Sequence, residues 1–384
     1  MDSPKVGDRR LLERHDFPSL FRALQAKGYD VVGPTVRDGA IVYDHLAGVD
    51  DLPIGWTDRQ EAGKYRLERR SDEALFGYTV GPFSWKKFLF PARERLWTAT
   101  RDGPSFMVAS EPTEGPPLAF LGMRACELAG VAVQDRVFLG GPVADPGYAA
   151  RRRRILRIAV QCGQAGGTCF CVSMGTGPGI RQGADLIVTE ILGNGRHQFL
   201  VEVGSPEGAA VLANVPLKAA AATDAAQAER IVAHTAASMG RTLNTEGIHD
   251  VLMKNLEHPR WEIVARRCLS CTNCTMACPT CFCSNQEEVP SLSVEKVERW
   301  RRWDSCFNLG LTEMHGLAVR KTTLSRYRQW LTHKLATWQD QFGTSGCVGC
   351  GRCITWCPVG IDLTEEVAAI RTVAAAPATS EGKK

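Results

Sequence analysis

RRCLSCTNCTMACPTCFC (Arg266–Cys283) and CVGCGRCITWCPVGIDL (Cys347–Leu363) each contain the cysteine grammar CxxCxxCxxxCP. Its two copies are Cys268, Cys271, Cys274 and Cys278 with Pro279, and Cys347, Cys350, Cys353 and Cys357 with Pro358. That spacing builds two 4Fe-4S clusters. Three thiolates at spacing three curl around three irons of one cubane. The fourth cysteine, four positions on and followed by a proline that breaks the turn, faces away and reaches the partner cluster. The expected ligand sets are Cys268, Cys271, Cys274 and Cys357 for one cluster, and Cys347, Cys350, Cys353 and Cys278 for the other.

Paired CxxC motifs also serve tetrahedral zinc. Zinc needs only two such pairs per site, so a run of four cysteines with a trailing proline, repeated, has no purpose there. Disulfides are disfavoured because Met1–Arg14 (MDSPKVGDRRLLER) is charged and lacks the apolar core of a secretory signal.

The remaining composition narrows the class. At 384 residues the chain has room for two or three domains. Fifteen cysteines without a secretory signal point to a reducing compartment and metal chemistry. No run approaches the roughly 18 apolar residues of a membrane span, so a soluble, cytoplasmic protein is expected. The net charge of +4 is slight and dispersed. Its tight basic cluster, Arg151–Arg154, reads as a solvated helix face or docking patch rather than a nucleic-acid site.

Along the chain the texture changes twice. Residues 1–235 read as an α/β domain. Asp16 is placed to cap a helix through Lys27, which Gly28 stops. Extended stretches are expected at 29–32, 40–43, 106–109, 118–121, 155–160, 186–190 and 198–203, with a hairpin turn at Gly193, Asn194 and Gly195. Runs such as LAFLG and ILRIAV alternate little and suit strands buried on both faces.

From about Lys218 the sequence turns alanine-rich and helical, with helices expected over 219–238 and around Ile248–Leu256 before Pro259, after which Trp261–Arg267 leads into the first quartet. Between the quartets two more helices are expected, one over 293–303 capped by Ser293, the other over 323–341 with an apolar stripe of Leu324, Tyr327, Leu331, Leu335 and Trp338. Asp362 with Glu365 forms a capping box for a last helix through Thr372. The fold class is therefore α+β and multi-domain: an N-terminal α/β domain, an α-helical ferredoxin-type domain over 236–373 carrying two 4Fe-4S clusters, and a polar, disordered tail at 374–384. The helical insert between quartets looks like the α-helical ferredoxin module of the succinate dehydrogenase iron-sulfur subunit. The aromatic residues around it read as core packing that keeps clusters dry.

Seven cysteines stand outside the quartets. Cys126, Cys162, Cys169 and Cys171 make up the number that a third 4Fe-4S cluster needs, and Gly163, Gly166, Gly167 and the GTGPG run Gly175–Gly179 let backbone amides approach sulfur. Their spacing matches no standard cluster motif, and buried free cysteine is the alternative. Cys281, Cys283 and Cys306 read as buried thiols in the shell of the first cluster, or as substitute ligands if Cys278 does not cross over. No catalytic residue is assigned. GxGxxG opening a helix is absent, and GTGPG lacks the Lys-Ser/Thr of a phosphate loop. The eight histidines fall in no metal-ligand spacing, and no motif supports a Ser-His-Asp or Cys-His nucleophile.

The two quoted stretches, with WDSC (Trp303–Cys306), VVGPTVRDGAIVYD (Val31–Asp44), DLPIGWTD (Asp51–Asp58), GMRACELAGVAVQDRVFL (Gly122–Leu139) and CFCVSMGTGPG (Cys169–Gly179), resemble one family across nearly the whole chain. It comprises the 4Fe-4S dicluster β subunit of cytoplasmic NAD(P)-linked nickel-iron hydrogenases of the sulfhydrogenase type, and the electron-transfer subunit of anaerobic sulfite reductase. The stretch Met314–Trp330 departs from the family's phrasing. The resemblance implies a non-catalytic relay of single electrons between a flavin subunit that oxidises NAD(P)H and the iron-sulfur small subunit of the hydrogenase, which adjoins the nickel-iron large subunit. The alternative partner is a sirohaem-binding sulfite reductase subunit. From other classes, the chain could be a flavin-binding oxidoreductase in its own right, or a nucleic-acid protein with a structural cluster. Two regular quartets argue against the latter.

Overall fold

The computed structural model describes residues 3–111, 115–193, 195–293 and 295–374. Asn194 of the expected turn and residues 375–384 of the expected tail lie outside the described residues.

The first strands are β1 (Arg9–Glu13), β2 (Asp30–Arg37) and β3 (Ala40–His45). A hairpin of β4 (Trp56–Glu61) and β5 (Lys64–Arg69) follows, then β6 (Arg93–Asp102) and β7 (Ser105–Ser110). Next come β8 (Leu118–Met123), β9 (Ile155–Val160), β10 (Leu186–Gly193), β11 (Arg196–Val203) and the short β12 (Lys218–Ala219). Eight of these form a mixed sheet in the order β12-β1-β11-β10-β9-β8-β2-β3. Its centre, β10-β9-β8-β2, is parallel, and antiparallel partners flank it on both sides.

Both faces of the parallel strands are covered, which is why they read as unbroken apolar runs. Phe17, Leu20 and Leu24 of the helix Phe17–Ala26 join Val31, Leu121, Ile158, Val188 and Phe199 on one side. On the other, Trp85, Val131 and Tyr148 pack against Phe120 and Ala159. The Asp16 side chain does not cap its helix. Instead its carbonyl accepts from the Ser19 hydroxyl at 2.6 Å. Gly28, at φ +79°, supplies the left-handed stop.

Parallel strands need long crossovers. Between β8 and β9 the crossover contains the helices Ala125–Phe138 and Pro146–Arg153. Between β9 and β10, residues 161–185 form no helix, and this stretch carries Cys162, Cys169, Cys171 and the GTGPG run. A long irregular connection inside a compact fold is commonly a functional one.

Toward the C-terminus the helices Ile248–Met253, Arg260–Arg267, Thr323–Thr332 and Leu363–Ala374 share a core of Trp261, Val264, Tyr327, Leu331, Leu335, Val367 and Ile370. The helix from Thr323 continues through a π turn at His333–Thr337 into Trp338–Phe342, close to the expected span. Asp362 does start the last helix, its carboxylate accepting from the Thr364 N–H at 2.9 Å.

The expectation of a helix over 293–303 is wrong. The chain there forms strand β14 (Lys296–Trp303), paired with β13 (Ser284–Pro290) and with β6 in a four-stranded antiparallel sheet β13-β14-β6-β7. Two further two-residue strands, β15 (Glu313–Met314) and β16 (Leu317–Ala318), pair with each other. KVERWRRW has the period of a strand once β6 lies beside it. Arg93 stacks on Trp300 at 4.2 Å, Arg299 on Trp97 at 4.9 Å, and Arg95 pairs with Glu298 at 2.9 Å. Cross-strand pairs of this kind override helix propensity. Among the described residues no helix is long and apolar enough to cross a membrane.

Candidate metal centre

Each quartet is built by the same local device. In the first loop Ser270 and Thr272 have φ of 51° and 71°, and in the second Gly349 and Gly351 have φ of 63° and 74°. These left-handed residues, two apart, curl the chain so that three successive cysteines face one space. The curl also turns backbone amides toward sulfur. Cys268 accepts from the Ser270 N–H at 3.4 Å, Cys347 from the Gly349 N–H at 3.4 Å, and Cys357 from the Ile361 N–H at 3.3 Å.

The sulfurs then gather around two cavities. Cys268, Cys271, Cys274 and Cys357 line one, walled by Phe307, Tyr327, Trp330 and Ile361. The other is lined by Cys278, Cys347, Cys350 and Cys353, beside Phe170 and Lys334. Each quartet thus lends its last cysteine to the cavity of the other quartet. Cys353 borders both cavities. Among the described residues no three His, Cys, Asp or Glu groups converge on a single-ion site.

Burial pushes the thiols of Cys274 and Cys353 up, and that of Cys347 up to about 12. Thiolates can persist in such places only against a positive charge, and iron supplies one. The walls fit a sulfur-rich group in another way. Tyr327 Oη and Trp330 Nε1 are buried without a hydrogen-bond partner among the described residues, and both rings line the first cavity. Donors left orphaned in an apolar wall are costly unless an acceptor enters.

Lys334, carried by the π turn and buried, donates to Cys278 Sγ at 3.1 Å and to the Gly346 carbonyl at 3.3 Å, with Cys281 Sγ at 3.7 Å. Burial opposes its charge, but the sulfurs of Cys278, Cys281 and Cys347 outweigh it and hold its pKa high. The Cys281 thiol, with Lys334, correspondingly holds Cys278 low against burial. The sequence reading missed this lysine. Its signal was there: Lys334 falls on the helical stripe of Tyr327, Leu331 and Trp338, where a charge has no reason to be unless it faces one.

The second loop presses on the N-terminal half. Phe170 N–H donates to the Gly349 carbonyl at 2.8 Å, Thr176 Oγ1 to that of Val348 at 2.7 Å, and the Thr168 and Thr355 hydroxyls lie 2.7 Å apart. A Cβ on Gly349 would stand 2.7 Å from the Cys171 backbone, and one on Gly351 2.4 Å from the Thr168 carbonyl. Beside this contact, fully buried Arg352 pairs with Glu127 and donates to the Gly81 carbonyl at 2.9 Å. Glu127 also accepts from Tyr43 Oη at 2.8 Å and Trp85 Nε1 at 3.0 Å.

Two of the four N-terminal cysteines follow the carboxyl ends of adjacent parallel strands, where ligands collect in α/β sheets. Cys126 sits in the first helical turn after β8, and Cys162 follows β9. Cys126 and Cys171 share a buried cluster with Cys350 of the second quartet. Gly166 and Gly177 leave room, since a Cβ would approach Cys169 Sγ to 3.3 Å and Cys171 Sγ to 3.1 Å. Arg124 Nε, beside Cys162, and Arg352 Nη1, beside Cys126 and Cys350, are buried and unpartnered among the described residues. Burial holds the Cys171 thiol up at about 12.

Two arginines of the basic run are engaged within the molecule. Arg151 pairs with Glu94 at 2.7 Å and Arg152 with Asp135 at 3.0 Å.

Residues 267–361 match the family described as a 4Fe-4S dicluster domain. Over 364 residues, 92% of this chain and 96% of the relative, the sequence is 29% identical to sulfhydrogenase 2 subunit beta of Pyrococcus furiosus. No solved structure gives a significant match.

Proposed function

We propose that this chain, which carries a 4Fe-4S dicluster domain and is similar to a sulfhydrogenase β subunit, is an iron-sulfur electron-transfer subunit with a relay role. The relay runs between a flavin subunit that oxidises NAD(P)H and the iron-sulfur small subunit of a nickel-iron hydrogenase. Cys268, Cys271, Cys274 and Cys357 hold one cluster, and Cys347, Cys350, Cys353 and Cys278 the second. Cys126, Cys162, Cys169 and Cys171 hold a third. When bound, each cluster takes up and gives back one electron at a time.

One observation carries the reading: the sulfur sites are contiguous. Exposed Cys271 opens the first cavity to the surface, Cys353 borders the first and second, and Cys350 packs with Cys126 and Cys171. The chain's own residues keep this line dry and set its potential. Tyr327 and Trp330 exclude water, backbone amides donate to sulfur, and Lys334 and Arg352 bring positive charge beside it.

The test is iron content and paramagnetic resonance of the anaerobically reconstituted full-length chain. About twelve irons per chain are expected, about eight of them from the quartets, and a total of about eight would overturn the third cluster. NAD(P)H should reduce the centres only after the flavin subunit is added. Reduction by NAD(P)H unaided, or flavin retained one per chain, would overturn the relay assignment.

A further inference from the structure

Cys281, Cys283 and Cys306 have no place among the twelve cysteines of the relay, and two of them stand together at one end of it. Hairpin β13–β14 brings them there. Ser284 pairs with Trp303 at the open end of the hairpin, and the Asp304 N–H donates to the Cys283 carbonyl at 2.8 Å. The chain leaving β14 therefore runs alongside Cys283 and sets Cys306, two residues further on, next to it, near enough for the two thiols to shift each other's titration. Both are partly exposed and free.

Cys306 is also fixed against the first quartet. Its neighbour Ser305 lies with its hydroxyl 2.8 Å from that of Thr275, between Cys274 and Cys278 in the chain. Its other neighbour, Phe307, forms part of the wall around Cys268 and Cys274. A partly exposed dithiol is thus held beside the first quartet.

We propose that Cys283 and Cys306 are a redox-active pair that closes to a disulfide next to the first quartet and serves the relay as a two-electron store. The proposal rests on the cluster reading of the quartets. Closing forms one Sγ–Sγ bond, releases one proton from each thiol to solvent, and delivers two electrons singly to two oxidised one-electron 4Fe-4S acceptors of this chain. Opening reverses each change. The Cys306 thiol, acting against burial, holds Cys283 down at about 7, so one member of the pair is ready to act as the attacking thiolate.

The experiment uses the full-length chain, anaerobically reconstituted with iron and sulfide and poised with mediators at a series of potentials. Free thiols are alkylated at each potential, and peptides are mapped by mass spectrometry without reductant. The expected result is a Cys283–Cys306 cross-linked peptide at oxidising potentials and both cysteines alkylated at reducing ones, with quartet iron unchanged. Coulometric titration should then take up two electrons more in the wild type than in Cys306→Ser or Cys283→Ser. Alkylation of both cysteines at every potential, with iron and resonance of the quartets intact, overturns the proposal and leaves the relay standing. Loss of iron from the quartets themselves in the reconstituted chain would instead overturn the relay, and this pair with it.

Discussion

Two positions in each cysteine loop must take the left-handed backbone, and the loops meet that demand with different residues. The second uses Gly349 and Gly351 because the N-terminal half lies against it and leaves no room for a Cβ. In the first, Cys271 and Leu269 face solvent, and Ser270 and Thr272 accept the strain. Left-handed φ costs an ordinary residue about 1–2 kcal/mol, more for a β-branched one. Thr272→Gly should therefore be neutral or raise stability by up to about 1 kcal/mol, whereas Gly351→Ala should cost about 2–4 kcal/mol through strain and overpacking together. Anaerobic thermal melts of the two variants check the opposite signs. Lys334→Met removes a buried cation that donates to Cys278. A hydrogen bond between charged groups contributes about 1.5–3 kcal/mol, so the potential of the second centre should fall by roughly 60–130 mV for a one-electron couple. A redox titration followed by paramagnetic resonance reads that shift, and an unchanged or raised potential would contradict the role given to the lysine.

At the scale of elements, β14 is the instructive case. Its residues carry no helix breaker, and a window of sequence around it cannot reveal a partner some 200 positions away in β6. The pairing is anchored by Arg301, which is buried, bonds Glu94 at 2.6 Å and also pairs with Asp145. Arg301→Gln removes the cation bonded to Asp145 and leaves Glu94 with Arg151 alone, and should cost about 2–4 kcal/mol in urea unfolding. Burial tends to raise the Asp145 carboxyl, but bonds from Arg301 and from the Tyr148 N–H hold it below its ordinary value. The stability from that contact is accordingly present above about pH 4 and drains away as the pH falls through the lowered value. The gap between wild type and Arg301→Gln should narrow over that acid range and stay constant above it. The helix from Thr323, by contrast, was legible because its periodic stripe is local, as were β2, β8 and β9, whose apolar runs declare burial on both faces.

For the whole molecule, the decisive contact is Arg352 with Glu127, which ties the second cysteine loop to the helix that follows β8. Both side chains are shut away from solvent, at 0% and 1% exposure, so neither charge tolerates loss of the other. Arg352→Met should destabilise the full-length chain by about 3–5 kcal/mol, and adding Glu127→Gln should recover part of that loss, because the buried anion goes with it. A double-mutant cycle in urea measures the coupling, and strict additivity would show that the pair does not join the two halves.

The amino-acid order alone determined the chemistry: the spacing of the two quartets, proline after each fourth cysteine, and the apolar runs and stripes that mark strands and helices within their own span. Those signals are covalent or local, so they survive without knowledge of what lies opposite. Tertiary structure decided which sulfurs stand together, that β6 claims β14, that Lys334 and Arg352 sit beside cysteine sulfurs, and that Cys283 meets Cys306. Each of these is a meeting of distant segments, selected by burial, charge and hydrogen bonding between them.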